Sequence, residues 1–207
     1  MQWSVYMTLL CFFHFAEFFA TALYQPASLS YDSFIVNHSK SYTFAALASW
    51  TEFWVESILF GSLKRRSFLM LFGIALIVLG QGIRTLAMWT CGPNFNHQVM
   101  ERSADDGHKL VTHGIYAYLR HPAYFGWFYW SIGTQVFLCN PICTVFYAWA
   151  SWSFFSVRIP YEESLLLRAY PQQYAEYAAK TFVLIPFIKS STSAGPSQSI
   201  NYPDDSR

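Results

Sequence analysis

Residues 120–143 read RHPAYFGWFYWSIGTQVFLCNPIC and place a cation and an imidazole directly before a run of aromatic and apolar residues. Charged groups are costly in hydrocarbon unless they lie at its boundary or have a partner, so Arg120 and His121 are expected at a membrane surface. Asn140 and Pro141 break the apolar run and are typical of a turn. The stretch therefore predicts a tight helical hairpin that enters and leaves the membrane on the same side.

The composition of the whole chain agrees with a membrane protein. Of the 207 residues, 54% are hydrophobic and 20% are aromatic, whereas only 12% are charged, about half the share in soluble domains. The formal net charge is +1, and the basic residues form no cluster that would predict nucleic-acid binding. The four cysteines form no Cys-x-x-Cys pair and have no histidine at metal spacing, so no metal site is expected.

Three apolar segments precede the hairpin. Residues 3–24, 43–60 and 68–90 are each long enough to cross a membrane as a helix. The first is expected to be a retained span rather than a signal peptide, because it lacks a basic start and contains His14 and Glu17. The expected fold is all-α: a polytopic integral membrane bundle of about five spans, including the hairpin.

Polar segments divide the chain into three regions. Residues 1–90 would hold three N-terminal spans. Residues 91–189 would hold a polar loop, the hairpin and amphipathic C-terminal helices, and residues 190–207, rich in Ser, Pro, Gly and Asp, would form a disordered tail. If the hairpin returns to its side of entry, the larger polar segments share one face. The positive-inside rule places that face in the cytosol, although the short basic turn at 64–66 argues the other way.

The segment after the hairpin carries a helical pattern. Spacings of 4, 4 and 3 place four side chains on one helix face: Leu166, Tyr170, Tyr174 and Tyr177. Pro171 interrupts the pattern, so two helical pieces are expected. The chain turns polar at Arg158, and Pro160 is expected to shift where the next helix starts.

Three arginines lie where the helices are expected to meet the same polar face. Arg84 ends a span, Arg120 precedes the hairpin and Arg158 follows it, with Glu162 and Glu163 one turn later. Each arginine alone is explained by snorkelling to lipid headgroups. Taken together, they suggest a pocket for an anionic ligand.

Carboxylates inside the predicted spans are expected to be structural. Glu52 and Glu56 share a helix face and would hydrogen-bond between helices, with Gln81 or His14 as partners. His14 and Glu17 are likewise expected to make interhelical contacts. The sequence does not show the Gly- or Pro-broken pair of spans in two symmetric halves that would indicate a transporter.

Several motifs of the chain resemble one enzyme family. NFNHQV at 94–99, HKLVTHGIYAYLRHPAYFGWFYWSIGTQVFLCNPIC at 108–143, Arg158 with the two glutamates after it, and LIPFI at 184–188 resemble the isoprenylcysteine carboxyl methyltransferase family. The RHPxYxG core is shared with other membrane methyltransferases and sterol reductases, and the SIGTQVFLCNPIC hairpin narrows the resemblance. Members of the family usually carry two more N-terminal spans, so the chain resembles a form that lacks the first two.

The resemblance implies a multi-pass enzyme of the endoplasmic reticulum membrane with its active site facing the cytosol. Residues 91–189 would then be the catalytic region, with a cofactor loop and a cytosolic cofactor-binding region. The enzyme would transfer methyl from S-adenosylmethionine to the C-terminal carboxylate of prenylated cysteine in processed CaaX proteins, such as small GTPases, in contact with membrane lipid. The implied catalytic residues are Arg84, Arg158, Glu162 and Glu163, of which Arg158 would bind the substrate. The implied cofactor contacts are Met100 or Glu101, His108, Lys109, Leu110, Val111, Tyr116, His121, Pro122, Ala123, Tyr124 and Glu162.

The residue types suit this chemistry. An α-carboxyl group titrates near 3.5 and is already ionised at neutral pH, so carboxylate methylation needs no general base. An arginine suits the carboxylate as a bidentate donor, and a glutamate suits the ammonium group of the methyl donor. Two alternatives stay open: a related membrane sterol reductase that uses a nicotinamide cofactor, and a catalytically silent membrane protein that binds prenylated proteins.

Overall fold

A computed structural model of the chain describes residues 1–36, 39–95 and 109–188. Its helices are α1 (Gln2–Tyr24), α2 (Lys40–Leu59), α3 (Ser67–Cys91), α4 (Pro122–Leu138), α5 (Pro141–Ala169) and α6 (Pro171–Lys180). Short 3-10 turns cover Pro26–Ser28, Tyr31–Phe34, Leu63–Arg65, Gly92–Asn94 and Gly114–Ala117. The extended pairing within these residues is a single bridge between Leu119 and Phe182. The described part of the chain is therefore all-helical, as predicted.

Glycines let α3 and α4 pack against each other in antiparallel orientation. Gly73, near the start of α3, faces Phe137 at the end of α4. Two turns further, a Cβ atom at Gly80 would lie only 2.5 Å from the carbonyl oxygen of Gly126. Gly133 meets the same face of α3 one heptad from Gly126. Small residues at such spacing allow the close backbone approach typical of membrane helices.

The outer faces of the bundle are apolar. Phe12 of α1 is 57% exposed and Phe68 of α3 is 77% exposed, and many other large apolar side chains share these faces. The helical segments Gln2–Tyr24 and Ser67–Asn94 are long and apolar enough to cross a membrane. A surface of this kind suits lipid better than water.

The predicted turn between α4 and α5 is confirmed, and Lys64 holds it. After α4 ends at Leu138, Cys139 adopts a left-handed conformation (φ 53°), and Asn140 leads directly into Pro141, the first residue of α5. The Lys64 ammonium donates to the Cys139 carbonyl at 3.0 Å and to Asn140 Oδ1 at 2.6 Å. A cation at the C-terminus of α4 complements the helix dipole.

The carboxylates of α2 also act at this turn. Glu52 accepts hydrogen bonds from two backbone N–H groups in the first turn of α5, each at 2.7 Å, and so caps that helix. Glu56 pairs with Lys64 at 2.7 Å. The prediction of structural carboxylates is confirmed, but the partners predicted for them, Gln81 and His14, are wrong, because Glu52 meets the N-terminus of α5 and Glu56 meets the Lys64 ammonium.

His14 and Glu17 make the interhelical contacts that were predicted for α1. His14 Nδ1 hydrogen-bonds the Phe34 carbonyl at 2.8 Å, and its Nε2 hydrogen-bonds the Tyr42 hydroxyl at 3.1 Å. Glu17 is fully buried and pairs with Arg84 of α3. These contacts join α1 to α2 and α3 below the polar end of the bundle.

α5 is continuous through Pro160, so the predicted change of helix after Arg158 is wrong. Ile159 and Glu163 on either side of that turn are completely buried, and their burial holds the helix in spite of the hydrogen bond that proline removes. With 29 residues, α5 is about 43 Å long, whereas a bilayer core is about 30 Å thick. Its last part, from Arg158 onward, therefore extends past the apolar segment. The predicted break before Pro171 is confirmed.

Candidate active site

Predicted site residues of α4 and α5 meet at the end of the bundle opposite the hairpin turn. The Tyr124 hydroxyl donates to Glu162 Oε2 at 2.6 Å, and Arg158 Nε donates to the Tyr124 oxygen at 3.2 Å. The Arg158 guanidinium also lies about 6 Å from the ring centres of Tyr124 and Phe154, at 6.0 and 5.9 Å. Arg158 and Glu162 share a helix face at i, i+4. A cation and a carboxylate therefore flank one phenol.

Glu163 forms a second, fully buried cluster. It accepts hydrogen bonds from Arg120 Nε at 2.6 Å and from His121 Nε2 at 3.2 Å. Burial alone would raise the pKa of Glu163, but the His121 hydrogen bond and the Arg120 charge outweigh it and lower that pKa to about 2. Arg120 Nη1 also donates to the carbonyls of Ala178 and Thr181. Glu163 therefore fixes the Arg-His-Pro segment to α5 and α6.

The two glutamates thus have different surroundings. Glu162 is half-buried and lies on the side of Arg158 and Tyr124, whereas Glu163 is completely enclosed. The difference follows from the helix, because consecutive residues point in directions about 100° apart. Of the two, the geometry favours Glu162 for contact with a ligand.

Arg84 is held from three sides. Its Nε and Nη2 donate to the two oxygens of Glu17 at 2.5 and 2.9 Å, and its Nη1 donates to the Ala123 carbonyl at 3.1 Å. Because a buried guanidinium needs a compensating charge, Arg84 and Arg120 are each paired with a carboxylate of the chain. Of the three predicted arginines, Arg158 is the one that contacts Tyr124.

Rings line the start of α4. Pro122 is the first residue of the helix, and the His121 ring before it stacks on Tyr124, with centroids 5.5 Å apart and planes at 7°. Phe155 of α5 also packs against Tyr124, with centroids 5.0 Å apart. The first turn of α4 thus lies in an aromatic cluster next to the Glu162 carboxylate. Aromatic rings suit contact with a cation or a heteroaromatic ring.

The segment before α4 contributes further predicted cofactor contacts. Lys109 is exposed, and Leu110, Val111 and Tyr116 are half-buried. Leu110 packs against the tyrosines of α6, and the Tyr116 carbonyl accepts a hydrogen bond from Tyr177 at 2.8 Å. Three other predicted contacts lie outside the described residues: Met100, Glu101 and His108.

Sequence reasoning missed two features of this region. It assigned Glu17 an interhelical contact but did not identify it as the counter-ion of Arg84, since charges 67 residues apart have no local pattern that pairs them. It also left α6 without a role in the site, although the tyrosine face of that helix was recognised. In the residues that the structure describes, no three His, Cys, Asp or Glu side chains converge as a metal site would require.

The fold and the site define an all-helical membrane protein with a polar, aromatic-lined site at one end of its bundle. The sequence model of the isoprenylcysteine carboxyl methyltransferase family matches residues 73–168. The chain is also similar to a solved structure of the eukaryotic intramembrane Ras methyltransferase of that name, with a TM-score of 0.87 and 48% identity over 91% of this chain and 67% of that one.

Two relatives of the same name illustrate the similarity. The Tribolium castaneum protein-S-isoprenylcysteine O-methyltransferase is 50% identical over 89% of this chain and 65% of its own length. The Dictyostelium discoideum protein of that name is 47% identical over 89% of this chain and 77% of its own length. The chain belongs to the isoprenylcysteine carboxyl methyltransferase family. It spans slightly less than two thirds of the length of the animal relatives, as the Tribolium value shows.

Proposed function

We propose that the chain transfers a methyl group from S-adenosylmethionine to the C-terminal carboxylate of a prenylated cysteine and so forms a methyl ester. The observation that carries the proposal is the contact of Arg158, Tyr124 and Glu162 at the membrane-distal part of α5. Arg158 and Glu162 lie on the same helix face, so a guanidinium would be available to a carboxylate and a carboxylate to an ammonium group. Family membership supports the same reaction.

The residues at this end of the bundle fit the methyl donor. The half-buried Glu162 carboxylate would hold the ammonium group of the amino-acid part, and the stacked rings of His121 and Tyr124 would contact the ring and sulfonium parts. Leu110 and Tyr116 would contact the donor from the segment before α4. When bound, S-adenosylmethionine supplies an electrophilic methyl group on a positively charged sulfur.

Arg158 would hold the nucleophile. The α-carboxylate is ionised at neutral pH, with a pKa near 3.5, so the protein does not have to remove a proton. The guanidinium can bind both carboxylate oxygens and aim one of them at the methyl group. The work of the site is therefore proximity and orientation.

Arg84 and Glu163 would act through other residues. Arg84 holds the carbonyl of Ala123 in the first turn of α4, and Glu163 holds His121. Both belong to the set that the resemblance implies for catalysis. Their contacts support positioning of the α4 start, on which His121 and Tyr124 lie.

The site lies where a lipid chain and a water-soluble donor can both reach it. Apolar outer faces below the site would accept a prenyl chain from the bilayer, while the polar end would meet the cytosol. This arrangement supports about five spans in the endoplasmic reticulum membrane, with a cytosolic cofactor region. The partners would be prenylated CaaX proteins after removal of their last three residues.

The proposal is tested with the full chain purified in detergent. The chain is incubated with S-adenosylmethionine labelled in its methyl group and with N-acetyl farnesylcysteine, and base-labile methyl ester is counted. Arg158→Ala should abolish ester formation, whereas Arg168→Ala, at an exposed arginine ten residues further along α5, should leave it unchanged. Absence of ester with a folded wild-type sample, or equal activity in both variants, would contradict the proposal.

A further inference from the structure

α6 packs against segments of the candidate site. Its buried face consists of Tyr174, Tyr177 and Ala178, and Leu110 packs against this face. The Tyr177 hydroxyl donates to the Tyr116 carbonyl, and the Ala178 carbonyl accepts from the Arg120 guanidinium. The helix therefore contacts three segments that carry predicted contacts of the methyl donor.

On this buried face of α6, the hydroxyl of Tyr174 lacks a hydrogen-bond partner among the described residues. The side chain is 1% exposed, and within the described residues its hydroxyl has no hydrogen-bond partner. Buried hydroxyls are nearly always paired in folded proteins, because an unpaired one loses its bonds to water without replacement. Tyr177, one turn later on the same face, has such a partner. The contrast leaves the Tyr174 hydroxyl available to a partner other than the described residues.

The charges around Tyr174 indicate what that partner offers. Burial and the nearby Glu163 carboxylate raise the pKa of Tyr174, with Arg120 opposing and Glu162 adding to the rise. The hydroxyl is therefore protonated at neutral pH and can donate. Neither glutamate accepts a hydrogen bond from this hydroxyl, which has no partner among the described residues. Glu163 accepts from Arg120 and His121, and Glu162 accepts from Tyr124. Two carboxylates would repel a third, so the acceptor is expected to be uncharged.

We propose that Tyr174 is a further binding residue for the methyl donor, and that its hydroxyl donates a hydrogen bond to an uncharged acceptor in the nucleoside part, a ring nitrogen or a ribose oxygen. The inference rests on the proposed function. It assigns the amino-acid part of the donor to the Glu162 side of the site and the nucleoside part to the α6 side.

The test is Tyr174→Phe in the full chain. Without ligand, the variant should have a higher Tm than the wild type, because the unpaired hydroxyl is gone. Its Kd for S-adenosylhomocysteine should rise about five- to tenfold, the size of one lost hydrogen bond, and the Kd for 5′-methylthioadenosine, which lacks the amino-acid part, should rise by the same factor. The KM for farnesylcysteine should not change.

Two matched variants give the reference values. Tyr177→Phe removes a hydroxyl that has a partner and should lower the Tm of the ligand-free protein. Tyr118→Phe removes a hydroxyl from a side chain that is 72% exposed and should change neither Tm nor Kd. If Tyr174→Phe raises the Tm but leaves both Kd values unchanged, or weakens S-adenosylhomocysteine alone, the inference is overturned while the proposed function stands. A wild type that binds neither nucleoside overturns both.

Discussion

Replacing Gly80 by alanine should separate α3 from α4 and so displace the start of α4. The added Cβ would lie 2.5 Å from the Gly126 oxygen, 2.6 Å from the Trp130 nitrogen and 2.8 Å from the Trp130 Cβ. The first two atoms are backbone and cannot turn aside, so the cost is at the upper end of overpacking, about 3 kcal/mol. Alanine regains about 1 kcal/mol of helix propensity. The expected net loss is about 2 kcal/mol in the free energy of unfolding.

Gly82 provides the matched control, because a Cβ there meets nothing within 4 Å. Gly82→Ala should be neutral or stabilise by up to about 1 kcal/mol, so the two variants should differ by about 2–3 kcal/mol. Reversible unfolding by SDS in mixed micelles, followed by far-UV circular dichroism, measures the difference. Methyl-transfer activity should fall in Gly80→Ala alone. Equal stability of the two variants would refute the close packing of α3 on α4 and its role in placing the site.

Three further predictions concern charges. Glu17→Leu and Arg84→Met should each destabilise the protein by about 3–5 kcal/mol, because each leaves a buried charge unpaired. The double variant should be more stable than either single variant. Additive losses in SDS unfolding would contradict the proposed pairing of Glu17 with Arg84. Because the pKa of Glu163 falls from 4.5 to about 2 on folding, its ionised form stabilises the fold above about pH 4.5. That contribution, about 3 kcal/mol, should be lost as pH falls towards 2, and Glu163→Gln should show no such loss between these pH values. Glu52→Gln should lower the free energy of unfolding by about 1 kcal/mol through the weakened cap of α5, and an unchanged value would contradict that cap.

Features written into short stretches of sequence were predictable. The turn at Asn140 and Pro141 and the helix break before Pro171 each depend on local backbone chemistry, and both are confirmed. The all-helical fold followed from apolar runs long enough to span a bilayer. These predictions required no knowledge of which helix touches which.

Pairing between distant segments was not predictable in the same way. Hydropathy marks Glu52 and Arg84 as costly inside a membrane but does not say which groups satisfy them. The structure pairs them with the α5 terminus and with Glu17. The prediction at Pro160 failed for a related reason. The burial of Ile159 and Glu163 outweighs the local preference of proline to interrupt a helix. Burial of this kind is a property of the whole bundle.

The sequence predicted which residues belong to the site better than it predicted how they are arranged. The resemblance pointed to His121, Tyr124, Arg158 and Glu162, which the structure brings together, and to Arg84, which lies behind the α4 start. The unpaired hydroxyl of Tyr174 could not be found from sequence, because a tyrosine on an amphipathic face is most simply explained by core packing.

The most direct test of the account is a comparison of two KM values in two variants of the full chain. Arg158→Lys should raise the KM for N-acetyl farnesylcysteine and leave that for S-adenosylmethionine nearly unchanged, because a lysine cannot make the bidentate contact with the carboxylate. Glu162→Gln should do the reverse, because it removes the charge that holds the ammonium group. If each variant changes both KM values alike, or neither value, Arg158 and Glu162 do not divide the two substrates between them, and the proposed site is contradicted.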